Sequence, residues 1–208
     1  WTLTALPLFV WMGEILFRTK LSENLFKGLS PWLSKLPGGL IHVNVVGCGL
    51  FAAISGSSAA TVATVGKMSI PELRKRKYPE KILLGSLAGS GTLGLLIPPS
   101  IILIIYGVTI EDSIAKLFMA GIFPGIMLAI IFMLYVVVWS ILNKDQMPKI
   151  SEEFSFIEKI KRSKQLLPVV LLISAVIGSI YTGIATATEA ASLGVVGALI
   201  LSLFQGTL

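Results

Sequence analysis

The stretch FAAISGSSAATVATVG, residues 51–66, decides how this chain folds. Its centre, Ser55-Gly56-Ser57-Ser58, places three hydroxyl side chains and a glycine inside a long apolar run. Serine and glycine favour turns and helix caps over helix interiors. We therefore predict that the chain turns at residues 55–58, and the surrounding sequence indicates what kind of segment is turning.

The composition is that of an integral membrane protein. Of the 208 residues, 54% are hydrophobic and 13% are charged, and the mean hydropathy is +0.87. A soluble domain carries about 25% charged residues. The single cysteine, Cys48, allows neither an intrachain disulfide nor a cysteine metal cluster. Because the chain starts at Trp1 and ends in an apolar run at Leu208, we expect it to be part of a longer protein.

The net charge of +6 does not indicate a nucleic-acid partner. All but one of the basic residues fall in three stretches, at 18–35, 67–81 and 144–164, and Lys116 is the exception. Basic loops between apolar runs follow the positive-inside rule, which requires only a lipid bilayer as partner. We therefore predict that all three stretches are cytoplasmic.

The number of apolar runs between these basic stretches predicts a re-entrant hairpin. Two runs, 82–110 and 117–142, separate the second and third stretches, and each can span a hydrocarbon core of about 30 Å. Only the run 36–66 separates the first and second stretches. It must therefore enter and leave the membrane on the same side, with its turn at 55–58. Such a turn is tolerated only where protein or a water-filled cavity surrounds it.

The run at 82–110 is interrupted by Pro98-Pro99. Proline removes a backbone donor and disfavours helical geometry in the residue before it. We expect the helix to open around residues 94–100, leaving without intrahelical partners the carbonyl groups of about Gly94, Leu95 and Ile97. Neither this run nor the run 36–66 contains an acidic residue. Oxygen ligands without a strong acid favour sodium over a carboxylate proton relay.

The chain divides into four segments on this interpretation. Residues 18–39, which begin in the first segment, carry apolar side chains at spacings of three and four, which predicts an amphipathic interfacial helix. In the last, TATEAAS predicts that Thr186 or Thr188 begins a helix and that Glu189 favours its positive end. The segments are 1–35 with a transmembrane helix end and the interfacial helix, 36–80 with the hairpin and a basic cytoplasmic loop, 81–143 with the broken helix and the next transmembrane helix, and 144–208 with a cytoplasmic loop and two further helices.

Three motifs together resemble one transporter family. They are ISGSSAATVATVG (54–66), GSGTLGLLIPPSI (89–101) and GIATATEAAS (183–192). They resemble the large membrane subunit of tripartite ATP-independent periplasmic (TRAP) transporters over essentially the whole chain. The resemblance implies an all-α integral membrane protein of the ion-transporter type. That fold has two inverted repeats, each with a re-entrant helical hairpin and a broken transmembrane helix, and this chain resembles the first repeat and the start of the second half.

The resemblance also implies a site and a mechanism. In this family an elevator movement imports an organic acid, such as a C4-dicarboxylate or sialic acid, together with sodium ions. Carried over by motif, the sodium ligands are Ser55, Ser58, Gly94, Ile97 and Pro99, chiefly through main-chain oxygens. The residues that shape the adjoining substrate cavity are Gly56, Ser57 and Ser100. A second sodium site belongs to the other repeat.

The same resemblance implies partners and a location. The partners are a small membrane subunit, separate or fused, and a soluble periplasmic substrate-binding protein. The location is the inner membrane of a bacterium, crossed several times, and the protein is not an enzyme.

Two other classes of function are open from the residues alone. A channel or structural subunit would use similar broken helices without coupling ion flow to a substrate. An intramembrane serine protease would need His42 beside Ser55 or Ser57, although about 20 Å of helix separates His42 from the turn. The acids Glu14 and Glu189 are expected to be solvated, paired or capping groups rather than ligands of the coupling ion.

Overall fold

The structure is a computed structural model that describes residues 2–19, 21–148, 155–164 and 166–204. Trp1, Leu208 and residues 149–154 lie outside these ranges. The described residues form helices and no strand. The helices are α1 (Ala5–Arg18), α2 (Leu21–Leu33), α3 (His42–Ser55), α4 (Ser58–Lys75), α5 (Glu80–Gly91), α6 (Leu93–Leu96), α7 (Ile101–Thr109), α8 (Ile114–Leu142), α9 (Phe156–Ser163), α10 (Leu167–Tyr181) and α11 (Ala187–Phe204).

Three helical segments in the described part are long and apolar enough to cross a membrane. They are α8, α11 and the 30-residue segment Glu80–Thr109, which combines α5, α6 and α7. Helices α9 and α10 bend by 55° and qualify as a fourth span only when taken together. The apolar segment Gly39–Ser55, which contains α3, is shorter than the roughly 20 residues that a full crossing needs.

Seven of the helices pack into two groups that are joined mainly by α1. Helices α3, α4, α5, α6 and α8 form one group, and α10 and α11 form the other. Helix α1 packs closely along α11 and also contacts α3. Gly194 permits the first contact, since a Cβ there would lie 2.5 Å from the sulfur of Met12. The largest cluster of buried apolar residues therefore joins both groups, with Phe9 and Leu16 of α1 in it beside Phe51 of α3.

The predicted amphipathic helix is present as α2, but protein covers more of it than expected. Leu25, Phe26 and Leu33 are buried, and the helix packs on α3 and α9. Trp32 remains 46% exposed, and its indole Nε1 donates a hydrogen bond of 2.7 Å to Ser163 Oγ of α9. A tryptophan that is partly covered needs such a partner for its N–H group, which the periodicity of the sequence does not reveal.

The beginning of α11 confirms the predicted cap. Thr186 N–H donates to Glu189 Oε2 at 2.8 Å, and Glu189 N–H donates to Thr186 Oγ1 at 3.3 Å. This reciprocal pair satisfies backbone donors at the helix start. Glu189 is therefore a capping residue in the structure.

Candidate functional site

The turn predicted at residues 55–58 is confirmed. Helix α3 ends at Ser55, and Gly56 follows with φ of 58°, a left-handed conformation that glycine adopts without strain. Ser57 is extended and caps α4, because its hydroxyl accepts a hydrogen bond from the Ala60 N–H. We call residues 55–58 the hairpin tip.

The hydroxyl groups of the hairpin tip have different environments. Ser55 Oγ lies 2.9 Å from Thr61 Oγ1, with which it shares a hydrogen bond, and 3.3 Å from the Ser57 carbonyl oxygen. Ser58 Oγ is buried and has no hydrogen-bond partner among the described residues. A buried hydroxyl without a partner costs about 1–3 kcal/mol. Ser58 therefore presents an oxygen that a bound ligand would satisfy.

The break around Pro98-Pro99 is also confirmed. Helix α6 ends at Leu96, Ile97 is extended, and α7 begins at Ile101 with Ser100 as its cap. We call residues 94–100 the helix break. The Gly94 carbonyl has no helical donor four residues on, because residue 98 is a proline.

One expected free oxygen at the helix break has a partner. Ser100 Oγ donates a hydrogen bond of 2.7 Å to the Leu95 carbonyl oxygen. The same Ser100 hydroxyl accepts from the Leu103 N–H at 3.5 Å. The sequence predicts that the Leu95 carbonyl group has no backbone donor within the helix. In the structure, the Ser100 side chain is its donor instead. Leu95 is thus not a free ligand.

The hairpin tip and the helix break are in direct contact. The Ile101 N–H donates a hydrogen bond of 3.2 Å to the Gly56 carbonyl oxygen. A Cβ at Gly56 would lie 2.5 Å from the Pro99 carbonyl oxygen, and a Cβ at Gly94 would lie 2.9 Å from the Ser58 backbone nitrogen. Both glycines are therefore required by close backbone approach. The two interrupted segments form one structural unit.

The side of the helix break away from the tip packs on α8. A Cβ at Gly121 would lie 2.6 Å from the Leu96 carbonyl oxygen, and one at Gly125 would lie 3.0 Å from Ile97 Cγ1. The side chain of Ile97 also lies near α3, since its Cδ1 would be 3.6 Å from a Cβ at Gly49. The Ile97 side chain is thus held by apolar packing, and only its backbone belongs to the polar part of the site.

A cavity of about 310 Å³ lies beside the hairpin tip, between α1, α3 and α4. Its polar lining comes from Ser55, Ser57, Thr64 and Glu14. Of the three residues predicted to shape a substrate cavity, Ser57 lines this one. Gly56 and Ser100 are buried and take part in the tip and the break, respectively.

Two positions at the tip were not singled out by sequence patterns. Thr61 holds the Ser55 hydroxyl from the second turn of α4. Gly13 of α1 lets that helix approach the tip, since a Cβ there would lie 3.0 Å from the Ser55 Cα. The hydroxyl group of Thr61, six residues after Ser55, gave only weak evidence in the sequence for this contact. No sequence pattern indicated the role of Gly13, because Ser55 lies in a distant segment.

The serine protease arrangement is not present. His42 is the first residue of α3 and Ser55 is the last, so about 20 Å of helix separates them. His42 Nε2 lies 2.8 Å from the Pro37 carbonyl oxygen instead. His42 is a buried histidine at the far end of the helix.

The chemistry at the tip and the break is that of neutral oxygens. Within the described residues, no group of three or more His, Cys, Asp or Glu side chains is placed to hold a metal ion. The available oxygens are hydroxyl and main-chain carbonyl groups. The C-terminus of α3 adds a partial negative charge, and the N-termini of α4 and α7 add partial positive charges.

These features define an α-helical membrane protein whose polar centre is built from two interrupted helical segments. The sequence model of the family described as "Tripartite ATP-independent periplasmic transporter, DctM component" matches residues 1–208. The chain belongs to this family. Its members are transporter permeases and not enzymes.

Individual relatives agree with the family assignment. The C4-dicarboxylate TRAP transporter large permease protein DctM of Pseudomonas aeruginosa is 36% identical over 205 residues, 98% of this chain and 47% of the relative. The sialic acid TRAP transporter large permease protein SiaM of Vibrio cholerae is 34% identical over 203 residues, 96% of this chain and 46% of the relative.

A third relative is the isethionate TRAP transporter permease protein DctMQ of Oleidesulfovibrio alaskensis, 35% identical over 202 residues, 96% of this chain and 31% of the relative. The chain thus spans about half the length of the first two relatives, and a smaller share of the third.

Proposed function

We propose that this chain is part of the membrane subunit of a sodium-coupled secondary transporter that imports an organic acid delivered by a soluble binding protein. The observation that carries the proposal is the contact between the hairpin tip and the helix break, which buries the Ser58 hydroxyl without a hydrogen-bond partner among the described residues. A transporter of this kind holds its ion where interrupted helices meet.

The proposed sodium site consists of oxygens from both segments. Ser55 and Ser58 contribute from the tip, and Gly94, Ile97 and Pro99 contribute main-chain oxygens from the break. The chemistry fits, because sodium binds several neutral oxygens and needs no carboxylate. The placement of the Pro99 carbonyl oxygen against Gly56 supports the assignment. Leu95 is left out because Ser100 satisfies its carbonyl group.

The proposed substrate is the anion of an organic acid. Gly56, Ser57 and Ser100 belong to the proposed substrate region, where the N-termini of α4 and α7 contribute partial positive charge. The relatives are transporters for a C4-dicarboxylate, sialic acid and isethionate, all of which carry an acid group. We assign this chain an organic acid substrate on that basis.

The proposed topology is a multi-pass protein of the bacterial inner membrane. In it, α3 and the first part of α4 form a re-entrant hairpin that opens to the cytoplasm. The shortness of the apolar segment Gly39–Ser55 supports this. Cysteines at the exposed positions Lys35 and Lys75 should then be labelled from the same, cytoplasmic face, and labelling from opposite faces would refute the hairpin.

The proposed partners follow from the family. Its tripartite description supports a periplasmic binding protein and a small membrane subunit. The printed name DctMQ of one relative is consistent with fusion of the two membrane subunits in that protein. For this chain we propose the same components and an elevator movement.

The deciding experiment is uptake by the full-length permease, with its small subunit and binding protein, in proteoliposomes. Radiolabelled succinate and N-acetylneuraminate serve as probes, with and without a sodium gradient. We expect uptake that requires both sodium and the binding protein. Ion current without substrate uptake would support the channel interpretation and refute the proposal.

Two variants and one control test the site assignment. Ser58→Ala and Pro99→Ala should each raise the sodium concentration for half-maximal uptake by about tenfold, equal to about 1.4 kcal/mol of binding free energy. Ser69→Ala is the matched control. Ser69 lies on the same helix, and its hydroxyl is also buried without a partner among the described residues. Equal sodium dependence in all three variants would refute the assignment.

A further inference from the structure

The cavity beside the hairpin tip continues along one face of α4. Ser57, Ala60 and Thr64 line it, and their spacing of three and four residues places them on a single helical face. Lys67 is the next position on this face. At about 1.5 Å per residue, Lys67 lies about 15 Å from Ser57.

The opposite wall of the cavity comes from α1 and is also charged at this end. Glu14 and Phe17 line the cavity. The ammonium group of Lys67 lies 5.8 Å from the centroid of the Phe17 ring, so it reaches across from α4 to α1. Arg18 Nε lies 2.9 Å from Glu14 Oε1. Glu14 therefore brings a charge into the cavity lining, while Arg18, paired with Glu14, and Lys67, over the Phe17 ring, lie next to lining residues at this end.

The net charge of Glu14, Arg18 and Lys67 determines whether this end of the cavity attracts anions or cations. Two positive groups and one negative group leave a net positive charge at this end. Glu14 and Arg18 neutralise one another to a large extent, which leaves Lys67 as the dominant charge. The remaining polar lining is neutral hydroxyl groups, from Ser55, Ser57 and Thr64. A narrow space with walls of low dielectric concentrates the field of such a charge.

We propose that Glu14, Arg18 and Lys67 form the cytoplasmic mouth of the cavity and that Lys67 makes this mouth selective for anions. The inference rests on the proposed function, in which the basic end of α4 is cytoplasmic and the cargo is the anion of an organic acid. Lys67 attracts this anion as it leaves the tip, and Glu14 limits that attraction by pairing with Arg18. Lys67 is thus a specificity-determining residue outside the proposed sodium site.

Cysteine labelling, which requires no transport activity, tests whether the proposed mouth is selective for anions. In full-length permease in which Cys48 and any cysteine outside these 208 residues are replaced by alanine, a single cysteine is introduced at Ala63 or Ala60, both of which are exposed and line the cavity. Each is treated from the cytoplasmic side with an anionic thiol reagent, sulfonatoethyl methanethiosulfonate, and with its cationic trimethylammonium analogue. The measured quantity is the ratio of the two reaction rates, corrected for each reagent's rate with a free thiol.

We expect the anionic reagent to react faster at both positions. Ala63 is four residues from Lys67 on the same helix, about 6 Å along its axis. A unit charge within about 10 Å changes the local concentration of a charged reagent by about twofold to fifteenfold for effective dielectric constants of 80 to 20. Salt at 0.15 M, with a screening length of about 8 Å, weakens this effect. Lys67→Gln should therefore lower the ratio by about 1.5-fold to fivefold, because the two reagents respond in opposite directions.

Two further variants sharpen the result. Glu14→Gln should raise the ratio, since it removes the negative charge that pairs with Arg18. Lys75→Gln is the matched control, because Lys75 is on the same helix but about 18 Å from residue 63, beyond the screening length of about 8 Å at 0.15 M salt. It should leave the ratio unchanged.

The outcomes separate this inference from the proposed function. A ratio that Lys67→Gln does not change, or cysteines at residues 60 and 63 that react only from the external side, would overturn the mouth. Absence of succinate and N-acetylneuraminate uptake by the wild-type complex would count against the proposed function, while the labelling ratios would still decide whether an anion-selective mouth exists.

Discussion

Replacing Gly94 by alanine tests the contact between the hairpin tip and the helix break most directly. The new Cβ would lie 2.9 Å from the Ser58 backbone nitrogen and 3.0 Å from the Ser57 carbonyl carbon. Both are main-chain atoms, so no side chain can rotate away to make room. The break must therefore move from the tip by several tenths of an ångström, which would disturb the proposed sodium site.

The magnitude follows from two opposing effects. Overpacking by one methyl group costs about 1–3 kcal/mol, while alanine favours helix over glycine by about 1 kcal/mol. The net loss for Gly94→Ala is then up to about 2 kcal/mol. The chain spans about half the length of the Pseudomonas aeruginosa relative, so for the full-length permease this lowers the melting temperature by up to about 4 °C. We also expect weaker stabilisation of the protein by sodium.

Gly85→Ala is the control for this prediction. Gly85 lies in the same membrane segment, in α5, and a Cβ there would have no heavy atom of a neighbouring residue within 4 Å in the described structure. Its melting temperature should stay the same or rise slightly. The assay is thermal unfolding of the purified full-length permease, with sodium chloride compared with choline chloride. Equal melting temperatures and equal sodium responses of the two variants would refute the reasoning.

The remaining predictions concern three other contacts. Gly121→Ala should destabilise the permease by about 1–3 kcal/mol, because its Cβ would lie 2.6 Å from the Leu96 carbonyl oxygen. Gly178→Ala is the control and should not destabilise it, because a Cβ there meets no described atom within 4 Å. Thr186→Ala should cost about 1 kcal/mol by removing the cap of α11. Asn44→Ala should cost about 1–3 kcal/mol, because the Asn44 amide joins α3 to α5. Thermal unfolding measures all of these.

A different result would contradict each of these three predictions. Equal losses for Gly121→Ala and Gly178→Ala would show that the close approach of α8 to the helix break contributes nothing. An unchanged melting temperature in Thr186→Ala would mean that water replaces the cap. If Asn44→Ala were as stable as the wild type, the hydrogen bonds of the buried Asn44 amide would make no net contribution to the free energy of unfolding.

Local breaks in the helices could be predicted from the sequence, because the residues that cause them lie at the breaks. Gly56 adopts the left-handed conformation that ends α3, and Ser57 caps α4. Pro98-Pro99 separates α6 from α7, because proline supplies no backbone donor. Thr186 and Glu189 cap α11 for equally local reasons. Each effect acts within four residues along the chain.

Contacts between distant segments were decided by the tertiary structure. The Ile101 N–H finds the Gly56 carbonyl oxygen across 45 positions of sequence, and Gly13 of α1 fits against Ser55. The hydrogen bonding of individual oxygens also depended on neighbours, since Ser100 satisfies the Leu95 carbonyl group, whereas the Ser58 hydroxyl has no partner among the described residues. Packing geometry, which depends on all the helices at once, determines such choices.

The sequence by itself therefore determined the apolar helices, the turn at residues 55–58 and the break at Pro98-Pro99. The tertiary structure decided that these two interruptions meet and that α1 closes a cavity beside them, with Glu14 in its lining and Lys67 over the ring of the lining residue Phe17. The physical reason is the range of the interactions. Proline and glycine act on the backbone where they stand, whereas a binding site is made by side chains and carbonyl groups that only packing brings together.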